Sequence, residues 1–458
     1  MSGYSSMADS LGTQSIGSLA NDLANGRTSS VQLVSEALAR IERHRQHGGC
    51  AYVSVDGDAA MLAARTSDRD RAAGRVPSPL AGLPVSIKDL FDVSGQVTAA
   101  GSLVLANAPP ARQDALAVAR LRAAGAVVLG RTNMSEFAFS GLGLNPHFGT
   151  PVNPSASDRI AGGSSSGAAV SVALDMAVAG LGTDTGGSLR IPAAFCALVG
   201  FKPSASRVSA TGTLPLAKSL DSVGAITHNV ADSILLDQVL SGQLLDTQPA
   251  TLKGMRVAVT RDFVLDNLDS KVGAAFERVL KLLTDAGASI CWFDFPELHE
   301  LPFINASGGL TAAESWRVHQ QWLLSEIGTL YDPRVAKRIR RGASLSASDY
   351  LELLAHRQHL KAVTKSRLGD ADLWLMPTVA CVAPQLKALE QDDELFVDTN
   401  ALVLRNTSVI NFIDGCAISV PCHHSGALAV GLSICGLNGQ DAKVFQAARS
   451  IETLLSDQ

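Results

Sequence analysis

The sequence predicts an α/β fold, and two observations lead to this prediction. Short apolar runs of β type alternate along the chain with segments of helical periodicity, which is typical of layered α/β proteins. The 458 residues are 46% hydrophobic and only 18% charged, whereas an average soluble protein is about 25% charged. A high hydrophobic fraction combined with a low charged fraction indicates one large, compact body and excludes intrinsic disorder.

The predicted elements follow in order from local signals. A capping box at Ser29 and Gln32, followed by apolar residues at helical spacing, predicts a helix over 30–44. Asp114 is a candidate N-cap for a second helix over 115–124. Later helices are predicted at 272–286, within 310–366 and at 441–455. Strands are predicted at 83–87, 126–129, 254–260 and 289–293, with a hairpin of 417–421 and 428–434, and residues 1–13 are expected to fray.

Charge and hydropathy exclude several classes of partner. The chain has 38 Lys and Arg against 43 Asp and Glu, a net charge of -5, so it has no basic footprint for nucleic acid. The densest basic cluster, 338–341, is interpreted as a solvated helix end. The N-terminus lacks the pattern of a signal peptide. The most apolar stretch, 168–181, is interrupted by Asp175 and is too short to span a membrane.

The cysteines indicate a reducing compartment. There are seven, an odd number, and no C-x-x-C pair occurs, so neither a disulfide framework nor a zinc site is implied. Reduced thiols in a cytoplasmic protein fit this pattern. No cofactor is predicted.

Glycine and serine concentrate at 162–167 and 182–190. A flexible linker is disfavoured, because the flanks are apolar and a buried linker would leave backbone groups unpaired. No phosphate-binding glycine motif occurs. Residues 163–167 do match the G-x-S-x-G pattern of a nucleophile elbow. That alternative needs a histidine, and the candidates His228, His299 and His319 lack a distinctive context.

A serine nucleophile without a histidine needs another base, and a neutral lysine can serve. Lys88 follows the apolar run 83–87, and a lysine at the end of a buried strand is rare unless it has partners. Burial favours its neutral form. The alternative is a surface ion pair between Lys88 and Asp89.

The chain resembles the amidase signature family, and the resemblance covers roughly residues 20–455. The motifs that carry it, in the family's order, are Gly82-Leu-Pro-Val-Ser-Ile-Lys-Asp89, Gly130-Arg-Thr-Asn-Met-Ser-Glu-Phe-Ala138, Phe148-Gly-Thr-Pro-Val-Asn-Pro154, Gly162-Gly-Ser-Ser-Ser-Gly167, Gly182-Thr-Asp-Thr-Gly-Gly-Ser-Leu-Arg-Ile-Pro-Ala193, Gly200-Phe-Lys-Pro203, Trp374-Leu-Met-Pro-Thr378 and Ile418-Ser-Val-Pro421. The resemblance implies the amidase signature fold, a large central mixed sheet with helices on both faces.

The resemblance also implies a Ser–Ser–Lys triad, with Lys88 as base, Ser164 as bridging serine and Ser188 as nucleophile. The family spacing of the two serines selects Ser164 over its neighbours, and the family has a cis peptide before the bridging serine. The oxyanion hole would be formed by the backbone N–H groups of Thr185, Gly186, Gly187 and Ser188. Weaker candidates for substrate binding or loop support are Asp184, Arg190, Met134, Asn406, Asn411 and Asp414.

The resemblance further implies a single amidase domain. It comprises an N-terminal helical part (1–60), a catalytic core with the signature motifs (61–300), a peripheral helical insert (301–370) and a C-terminal part of the core (371–458). The expected activity is hydrolysis of a small-molecule carboxamide or anilide through a seryl acyl-enzyme. Neither a nucleic acid nor a membrane is an expected partner, and the chain is a candidate homodimer.

Two other functions remain open. The first is a glutaminase-type subunit of a tRNA-dependent amidotransferase, although the segment 310–366 lacks the tyrosine-rich motifs associated with that subunit. The second, a catalytically inactive binding protein, is disfavoured because all three triad residue types are present.

Overall fold

One large β-sheet organises the chain in the computed structural model, which describes residues 14–456. The strands are β1 (Tyr52–Val55), β2 (Pro84–Lys88), β3 (Val127–Thr132), β4 (Val152–Asn153), β5 (Ala156–Ile160), β6 (Ala179–Asp184), β7 (Val199–Lys202), β8 (Ser222–Thr227), β9 (Arg256–Thr260), β10 (Ser289–Phe293), β11 (Leu373–Pro377), β12 (Cys416–Pro421) and β13 (Gly431–Gly436). Within the described residues, eleven of them join in the order β1-β3-β2-β6-β8-β7-β12-β13-β11-β9-β10, while β4 and β5 pair separately.

The sheet is mixed. Strand β2 runs parallel to β3 and β6, and β9 runs parallel to β10 and β11. The middle of the sheet, from β6 through β8, β7 and β12 to β13, is antiparallel. The predicted α/β class with a large mixed sheet is therefore confirmed. The predicted hairpin is also confirmed, because β12 and β13 pair with Ile418 opposite Ile434.

Helices flank this sheet. They are α1 (Ile16–Ala24), α2 (Ser30–Gln46), α3 (Gly57–Ala72), α4 (Leu116–Ala123), α5 (Ser166–Ala173), α6 (Arg190–Phe195), α7 (Val230–Ser241), α8 (Ser270–Asp285), α9 (Leu301–Ile304), α10 (Gly309–Leu323), α11 (Pro333–Arg340), α12 (Ala347–Leu368), α13 (Leu386–Gln391), α14 (Asp393–Phe412) and α15 (Asp441–Ser456). The helical character predicted for 310–366 is confirmed by α10 to α12. The predicted fraying of residues 1–13 lies outside the described residues.

Of the two predicted helix caps, one is confirmed and one is wrong. The Ser29 hydroxyl accepts from the Gln32 N–H at 3.1 Å, and the Gln32 side chain accepts from the Ser29 N–H at 2.9 Å, so the predicted capping box is confirmed. Asp114 is not the N-cap of α4, which begins after Ala115 without a side-chain cap. Asp114 instead accepts from the Ser94 N–H at 2.8 Å, because the loop at Ser94 competes for the same carboxylate.

The basic cluster at 338–341 departs from its interpretation as a solvated helix end. Arg338 lies 4.9 Å from the centroid of the Phe139 ring and donates to the Phe139 carbonyl oxygen. The side chain is therefore turned toward the protein, although its neighbours Arg340 and Arg341 are exposed.

The apolar stretch 168–181 is split between two elements. Its first part lies in α5 and its last part in β6, with Asp175 in a left-handed turn between them at φ 54°. Ala168 of α5 packs so closely on β6 that a β-carbon at Gly180 would lie 3.0 Å from the Ala168 side chain. Of the helices formed by residues 14–456, none is long and apolar enough to cross a membrane.

Candidate active site

The candidate site lies where two parallel strands end. Strand β2 pairs with β6, with Ile87 opposite Leu181, so the carboxyl ends of both strands lie at the same edge. Lys88 is the last residue of β2 and Asp184 the last residue of β6. Ligand sites in open α/β sheets form outside the carboxyl ends of the strands. The sheet therefore places Lys88 beside the glycine-rich segment 185–188.

Lys88 is fully buried among hydroxyl groups. Its Nζ lies 2.8 Å from Ser164 Oγ, 2.9 Å from Ser165 Oγ and 3.0 Å from Thr183 Oγ1. An ammonium group donates three hydrogen bonds and accepts none. Loss of one proton leaves two N–H groups and a lone pair, to which a rotatable hydroxyl can donate. The surroundings thus accommodate both protonation states of the amine.

Burial is also what sets the protonation of Lys88. Desolvation lowers the pKa of the amine from 10.5 to about 7, while the negative charges of Asp184 and Asp221 act in the opposite direction. Asp89 takes no part, because its carboxylate accepts from Arg131 Nε at 3.2 Å and from the Gly101 N–H at 2.9 Å. The Asp89 carboxylate therefore does not pair with the amine, and the alternative of a surface Lys88–Asp89 pair is wrong.

The serine-rich segment enters this centre just before α5. The peptide bond between Gly163 and Ser164 is cis, as the resemblance implied. A side chain at Gly163 would lie 2.6 Å from the Gly143 nitrogen, so this close approach requires glycine. Both Ser164 and Ser165 contact the Lys88 amine, whereas the Ser166 hydroxyl is buried without a hydrogen-bond partner. Geometry alone therefore does not separate Ser164 from Ser165.

The segment that follows β6 presents free backbone donors. Within residues 14–456, the N–H groups of Gly186, Gly187 and Ser188 donate no hydrogen bond. Gly187 has φ 136°, and a side chain there would lie 2.2 Å from Thr407 Oγ1. Thr407 also donates to the Gly186 carbonyl oxygen at 2.6 Å. Helix α14 thus holds this segment with its N–H groups unpaired, an arrangement that suits a developing oxyanion.

Ser188 is tied to the serine-rich segment through the backbone. The Ser165 N–H donates to the Ser188 carbonyl oxygen at 3.3 Å. None of the hydrogen bonds among residues 14–456 joins the Ser164 and Ser188 hydroxyls directly. Catalytic hydrogen bonds in ligand-free proteins are often long and tighten when substrate binds. The backbone contact keeps the two serine segments adjacent.

A buried ion pair supports the segment 185–188 from behind. Arg190 Nε and Nη2 each lie 2.9 Å from a different oxygen of Asp184, and Arg190 Nη2 also donates to Asn411 Oδ1 at 2.6 Å. Burial acts to raise the pKa of Asp184, but Arg190, Lys202 and the Asn411 amide together lower it to about 2. Asp184 and Arg190 lie outside the cavity lining, so their contacts are those of loop support, while Asn411 both joins the pair and lines the cavity.

The remaining weak candidates lie away from the cavity. Asn406 donates to the carbonyl oxygens of Val264 and Pro377, each at 2.9 Å, so it anchors α14 rather than facing a substrate. Asp414 accepts from Lys361 at 3.3 Å. Met134 is fully buried in the core. None of these three side chains lines the cavity.

Sequence reasoning missed two residues of the site. Thr183 contacts the Lys88 amine and precedes Asp184 on β6. Because successive side chains of a strand point to opposite faces, Thr183 and Asp184 point to different faces of the sheet. This alternation was the available signal for Thr183. Asp221 had no such signal. It accepts from Thr185 Oγ1 at 2.5 Å and from the Ala217 N–H at 3.2 Å, and burial raises its pKa to about 6.

A cavity of about 610 Å³ opens onto Ser188. Its walls are mainly apolar and come from the loops beside β6 and from α9 to α11 and α14. The lining includes Phe139, Thr185, Gly186, Ser188, Leu216, Leu220, Phe263, Leu301, Asn305, Arg338, Arg341, Phe396, Asn400, Leu404, Arg405, Asn411 and Phe412. Walls of this kind suit a small organic molecule.

The structure offers little to the nucleophile-elbow alternative or to a metal. His228 Nε2 lies 3.3 Å from Asp175 Oδ1, and His319 lies 2.8 Å from the Tyr331 hydroxyl, so neither contacts a serine of the site. His299 lies 3.9 Å from Asp266. In the part of the chain that the structure describes, no group of three His, Cys, Asp or Glu side chains is arranged to hold a metal ion.

Comparisons with known proteins agree with this fold. A sequence model of the family described as Amidase matches residues 32–445. A 2-amino-5-chloromuconic acid deaminase of Comamonas testosteroni is 35% identical over 413 residues, 88% of each chain. A glutamyl-tRNA(Gln) amidotransferase subunit from Roseiflexus castenholzii is 33% identical over 452 residues, 90% of each chain.

Solved structures give the same result. The crystal structure of an amidase has a TM-score of 0.89 at 33% identity and covers 96% of this chain and 100% of that one. A bacterial aryl acylamidase of the amidase signature enzymes has a TM-score of 0.85 at 23% identity, covers 97% of this chain and 96% of that one, and supports the fold alone. The class is that of hydrolases acting on carbon–nitrogen amide bonds. This chain belongs to the amidase family, in its amidase signature form.

Proposed function

We propose that this chain hydrolyses the amide bond of a small-molecule carboxamide or anilide to a carboxylate and ammonia or an amine. The observation that carries the proposal is the buried Lys88 amine, which has a pKa of about 7 and lies 2.8 Å from Ser164. A base with a pKa near the working pH is best placed to accept and return a proton.

The proposed acylation begins with the Ser188 hydroxyl, which attacks the amide carbonyl carbon. Its proton passes to Ser164, and the Ser164 proton passes to the neutral Lys88 amine. The negative charge on the carbonyl oxygen is stabilised by the N–H groups of residues 185–188, of which those of 186–188 are without acceptors. One donor of this kind contributes about 10²–10³ in rate.

The proposed second half regenerates the enzyme. The tetrahedral intermediate breaks its carbon–nitrogen bond, and the leaving nitrogen takes a proton from the relay that ends at Lys88. Water then attacks the Ser188 ester and gives its proton to the same relay, so that the carboxylate leaves and the Ser188 hydroxyl is restored. Each half-reaction moves one proton to Lys88 and one back.

The test combines labelling with turnover. The purified protein is assayed for release of ammonia or aniline from aliphatic, aromatic and ureido amides, and treated with a neutral fluorophosphonate whose attachment site is mapped by peptide mass spectrometry. We expect label on Ser188, and loss of both label and turnover in Ser188→Ala without a fall in thermal stability. Ser166→Ala, in which the hydroxyl has no partner, is the matched control. Label on Ser165 instead would favour the nucleophile elbow and overturn the proposal.

A glutaminase-type subunit of a tRNA-dependent amidotransferase is the second candidate. The 33% identity to a glutamyl-tRNA(Gln) amidotransferase subunit over 90% of each chain favours it. The discriminating measurement is ammonia release from glutamine by this chain alone and after addition of the partner subunits of such a complex. Release that requires those subunits supports the second candidate, whereas turnover of simple amides by the chain alone supports the first.

We also propose that the chain is cytoplasmic and forms a homodimer. The apolar composition, 46% hydrophobic, leaves surface available for a subunit interface. Light scattering at micromolar concentration should give twice the monomer mass, and a monomer would contradict the proposal.

A further inference from the structure

The charge on the cavity wall has a single sign. Three arginines, Arg338, Arg341 and Arg405, line the cavity that opens onto Ser188, and no aspartate or glutamate of residues 14–456 does so. The rest of the lining is neutral and mostly apolar. A guanidinium that lines a cavity and has no partner within the protein can donate to an anionic group there. The question is therefore which of these arginines already has its partners within the protein.

Arg405 is already committed to the protein. It donates to the carbonyl oxygens of Asp266 at 2.5 Å and Val264 at 3.1 Å, and to Asn406 Oδ1 at 2.9 Å. With these contacts it joins α14 to the loop after β9. Each nitrogen of its guanidinium therefore has a partner within the protein.

Arg338 has guanidinium N–H groups that form no hydrogen bond with the described residues. Of its guanidinium, only Nη1 is paired, with the Phe139 carbonyl oxygen, while the planar group stacks on the Phe139 ring. The charge of Asp332 raises the pKa of Arg338, but the two side chains form no ion pair. One oxygen of Asp332 accepts instead from the Arg334 N–H at 2.8 Å. Arg338 is thus fixed in orientation, and it forms no ion pair with a carboxylate of the described residues.

Arg341 stands three positions further along the chain. Residues three apart on a helix are neighbours on one surface, and both side chains line the same cavity. Burial lowers the pKa of Arg338, and the positive charge of Arg341 lowers it further, so the two guanidinium groups interact. Among the described residues, Arg341 has no ion pair and its side chain no hydrogen bond. Two adjacent cations without a counter-ion form an anion-binding arrangement.

We propose that Arg338 and Arg341 form a subsite for a carboxylate group carried by the substrate amide, an inference that rests on the proposed function of Ser188. A planar guanidinium matches a carboxylate with two parallel hydrogen bonds. The apolar lining between these arginines and the segment 185–188 then contacts the carbon skeleton. The substrate class is a carboxylate-bearing small amide, such as the monoamide of a dicarboxylic acid.

The first test compares ammonia release from two substrates with the same five-carbon acyl skeleton, glutaric acid monoamide and its neutral methyl ester. Charge-assisted hydrogen bonds of this kind are worth about 10- to 100-fold. Wild type should therefore prefer the anionic amide in kcat/KM. Arg341→Gln should remove about 10- to 100-fold of kcat/KM for the anionic amide, through KM, and change turnover of the ester less than about threefold. Arg340→Gln, which removes an equal charge outside the cavity, should preserve the preference.

Arg338→Gln should give the same selective loss, and Arg338→Lys should recover only part of it, because an ammonium lacks the two parallel donors. Since Arg338 also packs on Phe139, its replacement can loosen α11. Arg341→Gln makes no such change and decides the matter alone.

A binding measurement separates this inference from the proposed function. Glutarate binding is followed by calorimetry in wild type, Arg341→Gln and Arg340→Gln, with inorganic phosphate as competitor. Weakened binding in Arg341→Gln alone supports the subsite even if no amide is turned over. Three results would each overturn the subsite. The first is equal kcat/KM for both substrates while Ser188 is still labelled by the neutral fluorophosphonate. The others are unchanged glutarate binding in Arg341→Gln and displacement of glutarate by phosphate at equal concentration. Absence of label and of all turnover refutes the proposed function instead.

Discussion

Replacement of Lys88 is the most informative perturbation of the site. With a pKa of about 7, half of the Lys88 amines are neutral near pH 7. Only the neutral form can accept the proton of the relay, so kcat/KM for a neutral anilide should reach a plateau above about pH 8 and fall about tenfold for each pH unit below pH 7. Lys88→Arg should be inactive throughout, because a guanidinium does not lose its proton at these pH values.

The same group links stability to pH. The folded pKa of about 7 lies below the ordinary 10.5, so between these values the unfolded chain binds a proton that the folded chain excludes. The free energy of unfolding therefore rises with pH across this window, by about 1.4 kcal/mol per unit from this residue. The full penalty, about 5 kcal/mol, is present below pH 7 and disappears near pH 10.5.

Lys88→Met isolates that contribution. Loss of contacts to the three hydroxyls adds an offset that does not depend on pH, so the informative quantity is the slope. Thermal or urea denaturation of native protein and Lys88→Met from pH 7 to 10 should show the native free energy of unfolding rising relative to the variant. Parallel curves would mean that Lys88 is charged in the folded protein. Near-native activity of Lys88→Arg with an unchanged acid limb would show that the relay is wrong even if Ser188 is the nucleophile.

Four further substitutions test the neighbouring groups. Ser164→Ala should reduce kcat by about 10²-fold or more and Ser165→Ala much less; the reverse order in a turnover assay would exchange their roles. Asp221→Asn removes a negative charge that raises the pKa of the relay lysine, so the acid limb of kcat/KM should move to lower pH, and a limb that moves upward would contradict this electrostatic account. Gly187→Ala should lower both kcat and the thermal midpoint, at a cost of about 1–3 kcal/mol, because its φ is 136°. The control is Gly273→Ala in α8, where the backbone is not in the positive-φ region and nothing lies within 4 Å of the new methyl group; equal midpoints for the two variants would refute the argument from backbone strain.

The placement of Lys88 could be predicted from the sequence because strand and lysine are contiguous. An apolar run that ends in a lysine predicts a buried amine at a strand terminus, and the structure has β2 ending at Lys88. The same holds for the capping box at Ser29, where both partners lie within one helical turn. Local signals of this kind need no knowledge of the tertiary fold.

Contacts between distant segments could not be predicted in this way. Asn406 and Asn411 are both polar residues of α14, but five positions correspond to about 140° around a helix. They therefore face different surroundings, and only Asn411 shares a face with Thr407, four positions away, toward the nucleophile segment. Asp221 contacts Thr185 across 36 residues, and Arg338 is turned inward by Phe139. No single-sequence pattern encodes these pairings.

The parallel pairing of β2 with β6 has a consequence for how the enzyme gains activity. The partners Ile87 and Leu181 are brought together only after a long intervening chain has crossed over, and such distant pairings form slowly. The Lys88 amine ends one strand, and the segment with Ser188, the proposed nucleophile, follows the other. In the proposed mechanism neither half is therefore competent alone. During renaturation, helical circular dichroism should therefore return before hydrolysis does, which makes turnover a late reporter of the assembled sheet.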